Sequence, residues 1–400
     1  MCIFIHLIYM RAKNAKTLLT ADLRKKIIKK RKYCKKYCNI MQKRCIILKY
    51  YKGGNKMKAS VIGATGFAGA ELLRLLDGHP DVEITNITSE SSTGENIADI
   101  YPYLSDRIEK KLGSMQEIES IAAESDVVFI ALPHGHAMKI CKALRSTSTK
   151  IIDLGGDYRF KDYKVFEEWY NVKHEDPEAH AVYGLTELYR DKVKGAKLVA
   201  NPGCYTTCGI LALVPMLKAG LIETGGIIID AKSGTTGAGR TLKAGSMYCA
   251  VNENFHAYGV GTHRHTPEIE QIYSEFAKAP VVIQFTPHLL PVDRGILATC
   301  YADIKPGVTS EQIDRAYRDM YEDEFFVRVR GQGICPEIKN VRASNYVDLG
   351  WQIDKRTNRL IAMTVLDNLV KGAAGQAVQN MNVMFGLKEN TGLTQLPIYP

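Results

Sequence analysis

The chain has 400 residues and a formal net charge of +10, but that charge is not spread evenly. Residues 1–56 contain seventeen Lys or Arg against one acidic residue, so the rest of the chain is mildly acidic. A basic charge confined to one end argues against a nucleic-acid-binding core, and no apolar run approaches the length that crosses a membrane. The remaining length allows two domains with full cores.

Three interpretations compete for residues 1–56. They are a basic arm that binds nucleic acid or membrane, a targeting presequence, and translated DNA upstream of the true start codon. We favour the third, because the segment 52–56 (Lys-Gly-Gly-Asn-Lys) can be encoded by a bacterial ribosome-binding sequence at a workable distance from Met57. The native protein is therefore expected to begin at Met57.

The ten cysteines show no paired spacing, and four of them lie in residues 1–56. Secreted disulfide frameworks and zinc sites both need regular cysteine spacing. We therefore expect neither a disulfide framework nor a metal site, and we expect a cytoplasmic protein.

A glycine-rich turn follows the first predicted strand, 58–62, and precedes an amphipathic helix that begins near residue 71. Gly63 permits a tight turn, Gly66 lets the backbone approach a pyrophosphate, and Gly69 lets the helix pack closely on the strand. The phosphates would then lie at the helix N-terminus. The pattern predicts a dinucleotide-binding unit, with contacts from Gly63, Thr65, Gly66, Phe67 and Gly69.

The second predicted strand, 82–89, indicates which dinucleotide binds. It ends in Thr88 and Ser89, where an NAD site usually has an acidic residue. Small hydroxyls accept a 2′-phosphate more easily than a carboxylate does, so we expect NADP(H). A buried strand over 125–133 follows and ends at Pro133, which we place at the cofactor, and the next residues, His134 and His136, are expected to line the same crevice.

Arg159 lies in a loop that follows another predicted strand, 150–154. Its planar guanidinium can hold a carboxylate or phosphate through two hydrogen bonds. The alternative is a structural salt bridge with Asp153 or Asp157, and the residues alone leave both interpretations open.

The segment 199–207 predicts a cysteine nucleophile. Pro202 and Gly203 break the preceding strand and an apolar helix follows, so Cys204 lies in the first turn of that helix. There the free backbone N–H groups and the positive end of the helix dipole favour a thiolate, and we expect a lowered pKa. Cys208, one turn later, is expected to be inert.

A loop over 232–240 follows a predicted strand at 226–231. It lacks the Gly-Lys-Ser/Thr ending of a phosphate-binding loop, and no helix follows at once. A flexible loop on the substrate side fits better, and Lys232, Ser233 and Arg240 are candidates for contact with an anionic substrate.

Two histidines flank Arg264 just before a helix that is expected to begin around Pro267. On an extended segment His263 and His265 point to one side and Arg264 to the other. One imidazole could then serve as acid/base while its neighbour binds substrate, and Arg264 is a further candidate for substrate binding. Metal chelation by the two histidines is the rival interpretation, but no third ligand lies at a convincing spacing.

Together these residues predict a reaction class. A nicotinamide hydride donor beside a cysteine nucleophile and a histidine suits the reduction of an activated acyl group to an aldehyde. The reaction would pass through a thioester on Cys204.

From Met57 onwards the chain resembles the longer form of the N-acetyl-gamma-glutamyl-phosphate reductases, the NADPH-dependent enzymes of arginine biosynthesis. The matching segments are 63–69 (Gly-Ala-Thr-Gly-Phe-Ala-Gly), 201–205 (Asn-Pro-Gly-Cys-Tyr), 235–240 (Thr-Thr-Gly-Ala-Gly-Arg), 263–271 (His-Arg-His-Thr-Pro-Glu-Ile-Glu-Gln) and 368–377 (Asn-Leu-Val-Lys-Gly-Ala-Ala-Gly-Gln-Ala). The resemblance implies specific roles: Cys204 as nucleophile, His263 as acid/base, Arg159 and His265 as substrate contacts, and Asn368 and Gly372 beside the nicotinamide. It also implies a homodimer or homotetramer that takes an acyl-phosphate substrate and releases inorganic phosphate.

The predicted fold class is α/β, with two domains after residue 56. A Rossmann-like, parallel-sheet NADP-binding domain covers 57–203 and is completed by the C-terminal segment 368–400. An α+β catalytic and dimerisation domain covers 204–367. Residues 1–56 have no counterpart in the family pattern.

The sequence leaves three alternatives to this function open. Aspartate-semialdehyde dehydrogenase and the aminoadipyl-phosphate reductase of lysine biosynthesis share the chemistry and differ in the length and tail of the substrate. The non-enzyme alternative is nucleic-acid binding through the basic residues 1–56.

Overall fold

Six parallel strands form the first sheet of the computed structural model, which describes residues 56–400. They are β1 (Met57–Ile62), β2 (Val82–Thr88), β3 (Val127–Ile130), β4 (Lys150–Asp153), β5 (Val182–Tyr183) and β6 (Leu198–Ala200). Their order is β2-β1-β3-β4-β6-β5. Because β2 and β3 lie on opposite sides of β1, the carboxyl ends of β1 and β3 form the switch point at which such sheets bind ligands.

The helices that connect these strands are α1 (Phe67–Asp77), α2 (Ile97–Ile100), α3 (Ile118–Ala123), α4 (Ala137–Leu144), α5 (Tyr163–Tyr170) and α6 (Thr186–Lys194). Helix α1 begins four residues before the expected position, because the extended residue Gly66 is its N-cap. The predicted strand 125–133 is shorter than expected. Ser125 instead terminates α3 by donating its Oγ–H to the Ile121 carbonyl, 2.6 Å away.

The second sheet has seven strands of mixed direction: β7 (Ile227–Gly234), β8 (His256–Ala257), β9 (Ile283–Leu290), β10 (Ile296–Asp303), β11 (Val327–Gln332), β12 (Val347–Asp354) and β13 (Arg359–Leu366). Their order is β11-β12-β13-β10-β7-β9-β8. One face of the sheet packs against α7 (Cys204–Lys218), α9 (Thr266–Ala277) and α10 (Ser310–Tyr321), and the short helix α8 (Tyr248–Val251) precedes the edge strand β8. The inward residues alternate with outward ones, as the buried Ile227, Ile229 and Ala231 of β7 show.

Residues 232–234 belong to β7, so the prediction that the strand ends at 231 and a loop begins at 232 is wrong. Lys232 pairs with Leu297 of β10 on one side and with His288 of β9 on the other. A strand paired on both sides continues until its neighbours end, and this tertiary constraint is not visible in the local sequence.

The chain returns to the first sheet after β13. A π-helix over Val370–Ala374 leads into α11 (Gly375–Met384). Val370, Ala377 and Met381 share an apolar cluster with Val61 of β1 and Leu72 of α1. The predicted fold class, a parallel-sheet α/β unit joined to an α+β unit, is confirmed. Within residues 56–400, no helix combines the length and the apolar character needed to cross a membrane.

Candidate active site

Cys204 is the first residue of α7, as predicted, and Gly203 is the N-cap of that helix. Gly203 has an ordinary extended backbone (φ −70°, ψ 155°), so its conformation does not require glycine. Crowding does, because an added Cβ would lie 2.4 Å from His265 Nε2 and 2.9 Å from Arg159 Nη1. A glycine here lets an imidazole and a guanidinium approach the turn that carries Cys204.

Glu268 is fully buried and stabilises this turn through hydrogen bonds. Its Oε1 accepts hydrogen bonds from Gly203 N (3.0 Å), Thr206 Oγ1 (2.9 Å) and the Tyr183 hydroxyl (2.7 Å). Its Oε2 accepts one from Arg159 Nη1 at 3.1 Å. We call these five residues the buried layer. The sequence pattern placed Glu268 only in the first turn of a helix and did not identify this role.

Arg159 is 5% exposed, and each of its guanidinium nitrogens binds the protein. Nε donates to the Asn201 carbonyl (2.8 Å) and Nη2 to the Leu154 carbonyl (2.9 Å), while Nη1 pairs with Glu268. The structural interpretation of Arg159 therefore has the better support, although its partner is neither Asp153 nor Asp157. Three of its five N–H groups bind the protein, so one N–H on Nη1 and one on Nη2 are left.

A cavity of about 140 Å³ lies next to Cys204, and we call it the Cys204 pocket. Cys204, both histidines of the 263–265 segment and Arg264 all line it, so the structure brings together the residues on which the predicted chemistry depends. The remaining lining residues are His134, Tyr170, Tyr205, Ser233, Gly234, Gly237, Tyr258 and Leu289.

The rings of His263 and His265 meet edge to face, with centroids 4.8 Å apart and an angle of 72° between their planes. The backbone between them is a turn rather than the extended segment that was expected, and α9 begins at Thr266. His263 Nδ1 accepts a hydrogen bond from His265 N (3.2 Å), which places the proton of a neutral His263 on Nε2. His265 Nδ1 has no hydrogen-bond partner within residues 56–400.

Both imidazoles are neutral near pH 7. Burial, with a smaller contribution from Arg264, lowers the pKa of His263 to about 4. Burial also lowers the pKa of His265 well below its usual range, and the positive charge of Arg159 acts in the same direction. A neutral imidazole keeps a lone pair on one ring nitrogen, which a base requires, although the lowered pKa makes it a weak base.

The expectation of a lowered pKa for Cys204 is wrong. Burial raises the pKa of the Cys204 thiol to about 11, although the backbone N–H groups of the first helical turn and Arg159 act in the opposite direction. The helix terminus stabilises a thiolate, but removal of water costs more in this pocket. Cys204 is therefore a thiol at neutral pH and needs a base. Cys208, as expected, is buried, and its thiol donates to the Thr364 carbonyl.

Arg264 and Lys232 occupy different environments. Arg264 is exposed, lies with its guanidinium carbon 5.0 Å from the centre of the Tyr170 ring, and has no ion pair among the described residues 56–400. Lys232 instead pairs with Asp230 on the outward face of the second sheet, and it does not line the Cys204 pocket. Of the two predicted substrate contacts, only Arg264 lies where a substrate of Cys204 could meet it.

The glycine turn beside β1 has the geometry of a dinucleotide site. Gly63 has φ +85°, and a Cβ there would lie 2.4 Å from the Ala131 carbonyl oxygen, while a Cβ on Gly69 would lie 2.3 Å from the Gly63 oxygen. Gly66 differs, because the protein atom nearest to an added Cβ is 3.6 Å away. Protein packing does not require glycine at that position, whereas a ligand that approaches the backbone would.

The hydroxyls at the end of β2 are less available than expected. Thr88 is fully buried and directs its hydroxyl to Met115 Sδ, so the predicted contact between Thr88 and the cofactor is not supported. Ser89 is 3% exposed and bonds Thr65, with 2.8 Å between the two hydroxyl oxygens. Arg240 reaches the same turn and donates to the Thr65 carbonyl at 3.1 Å.

The remaining predicted cofactor residues have different surroundings. Phe67 is half-buried at the start of α1, and Pro133 is exposed after β3. Asn368 links two other segments of the chain through its side chain. Its Oδ1 accepts a hydrogen bond from Gly295 N, and its Nδ2 donates one to Thr236 Oγ1. Gly372 packs directly against the nucleophile, since a Cβ there would lie 2.7 Å from Cys204 Cβ.

A cluster of three carboxylates lies outside the Cys204 pocket, on Glu187, Glu324 and Glu389, with oxygens within 4.8 Å of one another. Lys371 pairs with Glu187, and Arg190 pairs with Glu324 and Glu389. The positive charges of the chain itself therefore compensate this cluster.

Two family models match the chain. One is described as the NAD binding domain of semialdehyde dehydrogenase and matches residues 58–196, and the other as its dimerisation domain and matches residues 204–368. An aspartate semialdehyde dehydrogenase II from Vibrio cholerae has a similar structure (TM-score 0.63, 16% identity, covering 83% of this chain and 99% of that one). So does an aspartate semialdehyde dehydrogenase with NADP from Candida albicans (TM-score 0.60, 18% identity, 84% and 99%). At these identities the likeness shows the fold.

Curated relatives are much more similar in sequence. The N-acetyl-gamma-glutamyl-phosphate reductase of Symbiobacterium thermophilum is 50% identical over 86% of this chain and 99% of its own length. That of Lachnospira eligens is 51% identical over 86% of this chain and 100% of its own. Because about half of the residues are identical along nearly the whole length of these relatives, the chain belongs to the N-acetyl-gamma-glutamyl-phosphate reductase family.

Proposed function

We propose that this protein reduces N-acetyl-L-glutamyl 5-phosphate to N-acetyl-L-glutamate 5-semialdehyde with NADPH and releases phosphate, as a step of arginine biosynthesis. The observation that carries the proposal is the Cys204 pocket, where a cysteine at a helix N-terminus meets two neutral imidazoles and an unpaired guanidinium. The high identity to reductases of this name supports the choice of substrate.

The sequence assigned the acid/base role to His263 and substrate binding to His265. We propose His265 as the base instead, because His263 Nδ1 already accepts from His265 N, whereas His265 Nδ1 has no partner in the described part of the chain. Acylation then begins with a proton transfer from the Cys204 thiol to His265. The thiolate attacks the acyl carbon, the bond from that carbon to the phosphate oxygen breaks, and phosphate leaves with the proton that His265 received from the thiol. Arg264 lies in the same pocket and can bind an anionic group of the substrate. The product of this half-reaction is a thioester on Cys204.

The residues around the glycine turn fit a dinucleotide. Gly63, Gly66 and Gly69 would hold its pyrophosphate, with Thr65 and Ser89 beside it. When bound, NADPH supplies the hydride that converts the thioester to a thiohemiacetal. His263 presents its Nε2–H to the developing alkoxide, and the carbon–sulfur bond then breaks to release the aldehyde. The Cys204 thiolate then takes a proton from solvent, which restores the thiol.

We also propose the domain division stated from the sequence, with 57–203 and 368–400 as the NADP-binding domain and 204–367 as the catalytic domain. The packing of α11 on the first sheet supports it. A homodimer or homotetramer is proposed because residues 204–368 match a domain described as a dimerisation domain. A cytoplasmic location accords with the six free cysteines of residues 56–400.

The test is the reverse reaction, followed as NADP⁺ reduction in the presence of phosphate. N-acetylglutamate semialdehyde should give a kcat/KM at least roughly 100-fold above those for aspartate semialdehyde and aminoadipate semialdehyde, because a site that pairs the polar groups of one tail leaves them unpaired with another. A preference for either rival aldehyde would overturn the choice of substrate.

A further inference from the structure

His134 lies in the loop after β3 and lines the Cys204 pocket, although the mechanism above does not use it. Its Nδ1 accepts a hydrogen bond from Gly156 N, 3.0 Å away. Its Nε2 has no hydrogen-bond partner within residues 56–400. Burial, and then the positive charges of Arg159 and Arg264, lower the pKa of His134 to about 3, so the ring is neutral. A neutral imidazole that accepts at Nδ1 carries its proton on Nε2.

The loop that carries His134 is held on both sides. Asp157 accepts hydrogen bonds from Gly135 N (2.8 Å) and Ala137 N (3.1 Å), and Gly156, which fixes the imidazole, is its neighbour in the chain. The His134 ring also meets the edge of Tyr170, with centroids 4.8 Å apart. The Nε2–H is therefore a preorganised donor that needs no rearrangement when a ligand arrives.

The same Tyr170 ring contacts Arg264, so a neutral N–H donor and an unpaired guanidinium both line the Cys204 pocket beside one aromatic ring. Two donors of this kind suit a phosphoryl group, whose oxygens carry negative charge that increases as the group leaves. His134 does not compete for the thiol proton, because its accepting nitrogen already binds Gly156.

We propose that His134 is a substrate-binding residue whose Nε2–H, together with Arg264, binds the phosphoryl group of the acyl phosphate and stabilises the departing phosphate. The proposal rests on the proposed function for the identity of the substrate. The phosphates of the bound dinucleotide are the other source of the same chemistry, and the experiment separates the two.

Two substitutions distinguish the role of His134 Nε2 from the role of His134 Nδ1. His134→Asn keeps an acceptor near the Nδ1 position and removes the donor that Nε2 provides. His134→Gln places an amide N–H near the Nε2 position and gives up the acceptor for Gly156 N. His180→Asn is the matched control, since His180 is exposed and does not line the pocket.

The measurement is a ³¹P NMR titration of each full-length protein with inorganic phosphate, together with the KM for phosphate in aldehyde oxidation and the Kd for NADPH. His134→Asn should weaken phosphate binding and raise the phosphate KM roughly 10- to 100-fold, the effect of a lost hydrogen bond to a charged group. His134→Gln should stay within about threefold of the wild type in both. His180→Asn should change neither, and all four proteins should bind NADPH alike.

Three results would overturn the proposal. In the first, the wild-type protein does not bind phosphate. In the second, His134→Gln loses phosphate binding while His134→Asn retains it. In the third, His134→Asn weakens NADPH binding by the same factor as phosphate binding. The second would mean that His134 acts only by holding Gly156. If the titration follows the proposal but the wild type does not oxidise N-acetylglutamate semialdehyde, the phosphate site stands and the proposed function fails.

Discussion

The buried layer and the Cys204 pocket each contain an arginine, and the two guanidinium groups differ in how the protein binds them. Arg159 in the buried layer is 5% exposed, and every guanidinium nitrogen binds the protein. Arg264 in the pocket is exposed and has only an aromatic ring as support among the described residues. The first stabilises the turn that carries the nucleophile, and the second stays available to a ligand.

The same contrast applies to the acidic and nucleophilic groups. Glu268 uses both carboxylate oxygens within the buried layer, whereas His265 in the pocket keeps its Nδ1 unpaired among residues 56–400. Satisfied polar groups rigidify a structure, and unsatisfied ones are retained where chemistry needs them. Substitutions in the two regions should therefore separate loss of stability from loss of activity.

The largest effect is expected at the nucleophile. Cys204→Ser should lower kcat by at least about 10³-fold, because a serine hydroxyl is a far weaker nucleophile in the absence of a strong base. NADPH binding should be unchanged when followed by fluorescence. Cys208→Ser is the internal control, and substantial turnover in Cys204→Ser would refute the proposed role of Cys204.

Glu268→Ala should be the most damaging change for stability. It leaves the buried Arg159 without its counter-charge, and the loss of one partner from a buried ion pair costs about 3–5 kcal/mol. Urea denaturation measures the free energy of unfolding. Glu275→Ala removes the partner of the exposed Lys161 and the acceptor of the Tyr189 hydroxyl, and it should cost only about 1–2 kcal/mol. Equal losses in the two variants would contradict the distinction between the buried layer and the surface.

Acidification should destabilise the pocket. The folded-state pKa values of His263 and His134 are depressed to about 4 and about 3, below the unfolded value near 6.5. The unfolded state therefore binds more protons, and stability falls as the pH drops from about 6.5 towards 4, by on the order of 1–3 kcal/mol per histidine. Urea denaturation at pH 7.5 and pH 5 measures the change, and His263→Asn should reduce it. A free energy of unfolding that does not change between pH 7.5 and pH 5 would contradict the lowered pKa values of His263 and His134.

The smallest effect is expected at the pocket arginine. Arg264→Gln should raise the KM for the acyl phosphate roughly 10- to 100-fold, since it removes one charged hydrogen-bonding group from the substrate. The free energy of unfolding should change by less than about 0.5 kcal/mol, because Arg264 is exposed and has no ion pair within residues 56–400. A large loss of stability here would place Arg264 with Arg159 as a structural residue.

Local patterns predicted the parts of the site that depend on neighbouring residues. The glycine turn after β1 and the position of Cys204 at the start of α7 follow from strand, turn and helix signals a few residues apart. The partner of Arg159 did not follow, because Glu268 lies 109 residues away in sequence. The sequence also predicts a loop at Lys232, whereas the structure has a strand there. The strand is extended by pairing with β9 and β10, which are distant in sequence.

The pKa of Cys204 differs from the sequence prediction for the same reason. The helix terminus is a local feature and was predicted, whereas the burial that raises the pKa depends on side chains from several distant segments. Electrostatic properties of a site are therefore harder to predict from sequence than the positions of its residues.

The central claim is that Cys204 is acylated by the substrate. The full-length protein, mixed with N-acetylglutamyl phosphate without NADPH and quenched in acid, should show the mass of one N-acetylglutamyl group on the peptide that contains Cys204. Fragmentation should locate the group on Cys204 rather than Cys208, and addition of NADPH before the quench should remove it. A chain that turns over the substrate without an acyl group on Cys204, or with the group on another residue, would contradict the mechanism.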